Sequence, residues 1–383
     1  MSNTLNLGAG NWGVKDSSLL GYNSENGNFK PLPFNFERST SATRVNKEGL
    51  IEVVSNNEPR VDYKDDSKGA LLLEPSRSNL ITYSEDFSQS VWTAQSGISI
   101  TPNSGVSPKG DNTANQIVST NGTTGFFFSG LSVTNSAIRS LYLKGEVGGE
   151  SVTLKDPSGF GTPVTYTLTT EWQRLTLSTT NDGNTYQGLF IDDISIGTIY
   201  AWGAQLEQGS YATSYIPTQG SVATRVADAC SQQNDYVLSN TSGTIFFKLA
   251  NYDTNTSPNG FNKILVFQEV SSSSLDNSIY FEEYNGENTI LLKKGGTTLL
   301  QSTPNYQDLR GSKIGIKFSN TEAKIFINGV LNNTYTGDSS LSLEYFGFDN
   351  PYNGDIVSSI KLKDLKLYNT ALTDQELINL TTI

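Results

Sequence analysis

From Tyr200 to Pro217 the chain reads YAWGAQLEQGSYATSYIP, and its first half alternates with a period of two. Tyr200, Trp202, Ala204 and Leu206 alternate with Ala201, Gly203, Gln205 and Glu207, which predicts a strand with one large apolar face. A glycine turn follows, then Tyr211, Tyr215, Ile216 and a closing Pro217. A run of this kind belongs to an antiparallel sheet that buries one side. The segment itself contains no nucleophile and no metal-ligand set.

The same pattern recurs along most of the chain. Short runs such as GFFFS (125–129), RSLYLK (139–144), SVTLK (151–155), TYTL (165–168), WQRLTLS (172–178) and GLFI (188–191) are separated by turn residues. Their spacing suits a β-sandwich. Trp172 is expected in the core of that sandwich. Longer strands follow from Gly243, among them GTIFFKLA (243–250), KILVFQEV (263–270) and NSIYFEEY (277–284). SKIGIKFS (312–319) and EAKIFIN (322–328) form a predicted hairpin, and Asn328-Gly329 predicts a second tight turn. After the predicted strand SIKLKDLKL (359–367), Thr373 and Glu376 carry the capping-box spacing of a short helix. Before Asp86 only short strands are expected (LIEVV, RVDY and ALLL), too few for a large core of their own.

These blocks carry a resemblance. FERSTSATRV…YSEDF (36–87) and the stretch 200–217 are similar, in that order, to modules of bacteriophage virion proteins that contain a carbohydrate-binding-module-like jelly roll. KIFINGVLNNTYTG and the ending YNTALTDQELINL resemble the laminin-G-like, concanavalin A-type sandwich. The resemblance implies an all-β chain with two antiparallel sandwiches, a jelly roll and then a concanavalin A/laminin-G-like sandwich, behind an extended N-terminal leader. The expected divisions are a leader for attachment or oligomerisation at 1–77, the jelly roll at 78–218, a linker at 219–242 and the second sandwich at 243–383.

Composition limits the chemistry. The 383 residues include no histidine and a single cysteine, Cys230, so histidine-based triads, common zinc-water sites and an internal disulfide are all excluded. A formal charge of −12 disfavours nucleic acid as a partner. No apolar run approaches the ~20 residues of a membrane span, and the N-terminus lacks a secretory signal pattern. These features lead us to expect a soluble protein made in the cytoplasm, and the resemblance implies the virion, assembled in a bacterial host, as its place.

Candidate side chains fall into three sets. Of Phe126, Phe127 and Phe128 at least one must face away from the core, so Phe127, with Tyr142, Tyr166 and Tyr186, is a candidate platform for a sugar ring. Coverage by a neighbouring subunit is the competing reading. Glu85-Asp86 and the loop bearing Asp349, Asn350, Asn353 and Asp355 offer oxygens of the kind calcium uses, although Asp and Asn serve plain turns equally well. No other cofactor is expected. Finally, Val222-Ala223-Thr224-Arg225-Val226 echoes Ser41-Ala42-Thr43-Arg44-Val45, which makes Arg44 and Arg225 candidates for pinning interdomain or intersubunit carboxylates. Glu282-Glu283 and Asp192-Asp193 are adjacent pairs pointing to opposite faces of a strand, not the one-sided carboxylates of a glycanase.

The functional expectation is a non-enzymatic virion fibre, decoration or adhesin protein, mounted on head or tail. Its partners would be other virion proteins, further copies of itself with a trimer favoured, and host-surface polysaccharide. A purely architectural virion protein and a carbohydrate-binding protein or glycanase are the alternatives.

Overall fold

A computed structural model describes residues 5–15, 18–23, 27–31, 35–131, 133, 136–156, 161–179, 187–238, 242–254, 262–269, 274–284, 287–304, 307–348 and 358–383. The chain is all-β, with one helix at Asp374–Thr381 among the described residues. It forms two compact units, one made of Met1–Gly49, Val54–Ser76 and Val226–Ile383, the other of Leu50–Val53 and Arg77–Arg225.

The second unit is a sandwich of two five-stranded antiparallel sheets. One runs in the order Thr93–Ala94, Phe126–Leu131, Gln187–Asp192, Ser151–Lys155, Val164–Thr167. The other runs Ile98–Gly105, Ala114–Ser119, Gly197–Gln208, Ala137–Gly145, Gln173–Thr179. Alternation sends Phe126, Phe128, Leu189 and Ile191 inward from the first sheet and Leu141, Leu143, Leu175, Leu177 and Ile199 from the second. Phe87 and Trp92 meet edge-on at 4.8 Å and fill one end of this core.

The strand Gly197–Gln208 departs from the simple alternation. Gly203 adopts φ +66°, and the pairing with Ala137–Gly145 slips between Ser140 and Tyr142. This bulge shifts the parity of everything after it. Ala201, Ala204 and Leu206 all enter the core, whereas Trp202 lies outside that core cluster and packs on Tyr142 and Tyr215. The single apolar face expected from Tyr200 to Leu206 is therefore divided between the two sides of the sheet.

Residues 209–219 then fold back along the same strand and bury its outer side. Gln205 donates to the Ser214 carbonyl at 3.3 Å and accepts from the Ile216 amide at 2.6 Å, while Glu207 accepts from the Thr213 amide at 3.1 Å. Trp202 is fully buried and meets Tyr215 at 4.5 Å. Asn79 closes the arrangement with its full hydrogen-bonding capacity. It donates to the carbonyls of Ala204 and Ile216 and accepts from the amides of Ile81 and Leu206.

Trp172 is half-buried outside the core, contrary to expectation. Leu175 and Leu177 take the inward parity of their strand, which leaves Trp172 with the outward one. Its indole donates to the Val106 carbonyl at 3.1 Å, and Lys144 lies over its ring at 5.1 Å.

The first unit contains a sheet that runs Gly13–Lys15, Ser18–Asn23, Leu5–Gly8, Ser358–Tyr368, Gly243–Thr254, Lys313–Phe318, Glu322–Ile327, Val330–Thr336. Ala70–Leu73 also pairs with Ser358–Tyr368. The second sheet runs Thr297–Gln301, Glu287–Lys294, Ser278–Tyr284, Asn262–Gln268, Leu343–Gly347, Ala229–Leu238, Asn35–Glu37. The leader strands thus find partners within this sandwich, and Leu7, Leu19, Phe36, Leu71 and Leu73 are part of its core. The stretch expected as a linker contains the strands Ala223–Arg225 and Ala229–Leu238.

The predicted turn at Asn328-Gly329 is present. Both residues have positive φ, +51° and +81°, and Ile327 pairs with Val330 across it. The Thr373/Glu376 capping box is also formed, and the helix that follows buries Leu377 beside Gly315. Near the leader, Arg38 and Arg60 are buried on Asp228, at 2.9 Å for Arg38, and Arg60 also reaches Glu74 at 2.8 Å. The Asp228 amide donates to the Glu74 carbonyl and the Glu74 amide to the Asp228 carboxylate, so backbone and side chains interlock.

Candidate functional site

Within the jelly-roll unit a cleft of about 580 Å³ is lined by Tyr83, Glu85, Asp86 and Gln89 from the chain entering the sandwich. Asn103 comes from the strand Ile98–Gly105, Lys109 and Thr113 from the loop that follows it, and Pro217, Thr218 and Gln219 from the segment that folds back. Tyr83 and Gln219 face each other in an isolated antiparallel bridge, which fixes two of the walls. Asn103 has φ +54° at an irregularity in the pairing of Ile98–Gly105 with Ala114–Ser119, and the irregularity turns this stretch toward the cleft.

Glu85 is oriented from beneath. The Tyr215 hydroxyl, on a side chain only 3% exposed, lies 3.1 Å from Glu85 Oε1 and 2.6 Å from Ser84 Oγ. A carboxylate only accepts, so Tyr215 donates to Glu85 and Ser84 donates to Tyr215. Burial, reinforced by the Glu85 charge, holds the Tyr215 hydroxyl protonated well above its usual range. It therefore acts as a permanent donor. Lys109 sits 3.5 Å from Glu85 and 3.3 Å from Asp111, with its ammonium 6.0 Å from the Trp202 ring. The Trp202 indole donates to Thr113 at 3.0 Å.

Asp86 Oδ1 accepts from the amide and hydroxyl of Ser88 at 3.0 and 2.6 Å, and Oδ2 accepts from Gln89 at 2.7 Å. Burial alone would raise its pKa, but these hydrogen bonds outweigh it and hold the carboxyl below the ordinary aspartate value. Both oxygens serve a turn. Among the described residues no group of three or more acidic, cysteine or histidine side chains gathers as a metal ion would require.

The other sequence candidates are dispersed. Phe127 faces outward from the first sheet and meets Phe190 edge-on at 5.1 Å. Tyr142 lies on the outer side of the second sheet, 5.7 Å from Trp202, with the Arg174 guanidinium 5.5 Å from its ring. Tyr166 packs against the core and donates to the Thr176 carbonyl at 2.6 Å. Tyr186, Asp349, Asn350, Asn353 and Asp355 lie outside the described residues. Arg225 is buried and donates to Thr213 and Ser214 at 3.2 and 3.0 Å, while Arg44 is half-buried in the strand Ala42–Val45.

Of the sequence candidates only Glu85 and Asp86 line the cleft. Tyr83, Asn103, Lys109 and Gln219 escaped notice, since Tyr83 and Gln219 meet across 136 positions with no local signal. The amides of Asn103 and Gln219 and the hydroxyl of Tyr83 make no hydrogen bond to the protein among the described residues. They remain available to a ligand.

No family model matches the chain, and no curated protein does. Among solved structures, it is similar to the CBM40 domain of the Ruminococcus gnavus IT-sialidase bound to α2,3-sialyllactose, at 18% identity and a TM-score of 0.29, covering 38% of this chain and 85% of that one. A leech intramolecular trans-sialidase matches at 20% identity and a TM-score of 0.26, over 38% of this chain and 24% of that one. The binding domain of botulinum neurotoxin DC matches at 13% identity and a TM-score of 0.30, over 40% and 39%. At these values none of them assigns a ligand here.

Proposed function

We propose that the chain is a non-enzymatic, lectin-like binding protein whose jelly-roll unit takes a hydroxyl-rich sugar in the cleft between Tyr83, Glu85, Asn103, Lys109 and Gln219. One observation carries this reading. Two amides and a phenol without internal partners border a cleft of about 580 Å³, beside a carboxylate already held in place. Sugars bind through this mixture of paired donors and acceptors next to a ring. Catalysis finds less support, because a glycosidase acid needs a raised pKa and Asp86 and Asp111 are both held low.

The virion setting, and assembly with capsid or tail proteins or with further copies of the chain, rest on the sequence resemblance of the 36–87 and 200–217 blocks. A glycan array probed with the full chain, with and without calcium, tests the binding reading. Tyr83→Ala and Gln219→Ala are expected to weaken a bound glycan by up to about tenfold each, equivalent to ~1.4 kcal/mol. If no glycan binds at millimolar concentration, the purely architectural reading replaces this one. Release of products from a bacterial polysaccharide would instead favour an enzyme. Gene neighbours encoding capsid, portal or tail proteins are the expected finding for the virion setting.

A further inference from the structure

We infer that the cleft selects sugars bearing a free amine over acidic sugars. This rests on the reading of the cleft as a sugar site and adds the ligand's charge. Glu85 and Asp86 oppose a single lining cation, Lys109. That cation is shared with a third carboxylate, Asp111, at 3.3 Å, closer than Glu85 at 3.5 Å. The site therefore presents more fixed negative than positive charge.

The imbalance is built in. Glu85 cannot swing away without losing the hydrogen bond from Tyr215, which is buried, held by Ser84 and permanently protonated. Asp86 is locked by Ser88 and Gln89, and Asp111 accepts from Ser107 at 2.6 Å as well as from Thr113. Each bond favours the ionised form, and both aspartates are held below their ordinary range even though burial pulls the other way. An incoming carboxylate would meet like charge, and Lys109, the lining cation that could pair with it, is already engaged by Glu85 and Asp111. An ammonium brings three donors to these acceptors and keeps the ring hydroxyls for Asn103, Gln219 and Tyr83.

The experiment titrates the full-length protein by calorimetry with three oligosaccharides of equal length. One is glucosamine with free amines, one its N-acetylated counterpart and one galacturonate. The free amine is expected to bind about fivefold more tightly than the N-acetyl form, with galacturonate the weakest. Glu85→Gln should bring the first two within a factor of about two of each other, whatever it does to the affinity for both. Should that variant not fold, raising the salt of the wild type to about 0.5 M must shrink the same ratio, since the effect is Coulombic. Equal binding of all three, or galacturonate binding tightest, overturns the charge selection and leaves the sugar reading standing. No binding of any of the three, together with an empty glycan array, overturns the sugar reading and this inference with it.

Discussion

Asp228 shows how much can depend on one carboxylate. It is fully buried and compensates two guanidinium groups, Arg38 and Arg60, while its carboxylate also accepts from the Glu74 amide and its own amide donates to the Glu74 carbonyl. Burial pulls the Arg60 pKa down, but Asp228 and Glu74 outweigh it and leave it raised. Asp228→Asn strands these charges and is expected to cost about 3–5 kcal/mol, read as a lowered denaturant midpoint. Replacing the whole set with apolar residues would cost far less, because the penalty comes from the unpaired charge and not from a large net gain of the pair. Asp86 and Asp111 give a pH prediction. Their folded pKa values lie below the ordinary one, so their contribution is complete above ~pH 4 and is lost only as pH falls through the depressed folded values. Carboxyl titration by NMR should find both midpoints below ~3.9, and a midpoint above that value would refute the assigned hydrogen bonds. The repeated ATRV phrase drew attention to Arg44 and Arg225, whereas nothing local to Arg38 or Arg60 announces a carboxylate 190 or 168 positions away.

At the level of single elements, the bulge at Gly203 organises the jelly roll's outer surface. A Cβ at this position would lie 3.1 Å from the Tyr142 ring and 3.4 Å from the Tyr215 ring, on a backbone with positive φ. Gly203→Ala is therefore expected to cost about 1–3 kcal/mol and to disturb Tyr215, the donor to Glu85. Thermal melting measures the first effect and near-ultraviolet dichroism of Trp202 and Tyr215 the second. The helix Asp374–Thr381 offers a simpler case. Thr373→Ala removes its cap and should lower stability by about 0.5–2 kcal/mol. The two elements also mark where sequence reading succeeds. The capping box and the Asn-Gly turn are local devices complete within a few residues, so their sequence states their structure. A bulge is not written locally: YAWGAQLEQ reads as unbroken alternation, and only the slipped pairing against Ser140 and Tyr142 reveals the change of parity.

Across the whole molecule, the all-β class was legible because alternation and turn chemistry are short-range. The company kept by the leader strands was not, since pairings such as Leu5 with Leu367 or Cys230 with Phe36 depend on residues far apart in the chain. The cleft lay beyond reach for the same reason, with walls drawn from three separated segments. The topology predicts different behaviour for fragments. Residues 77–225 contain both sheets of the jelly roll and its core and should fold alone, with dispersed amide resonances. Residues 226–383 lack Leu7, Leu19, Phe36, Leu71 and Leu73 and should be poorly soluble until 1–76 is supplied in trans. A well-folded 226–383 fragment would show that the leader strands are dispensable to that core. The pairing of Leu5–Gly8 with Ser358–Tyr368 has a further consequence, in time. At ~5–20 residues per second, a ribosome that has released the first strand needs tens of seconds to deliver its mate. During that wait the jelly roll can finish folding while the early leucines lack their partner strand, so faster translation shortens the period in which they stay uncovered.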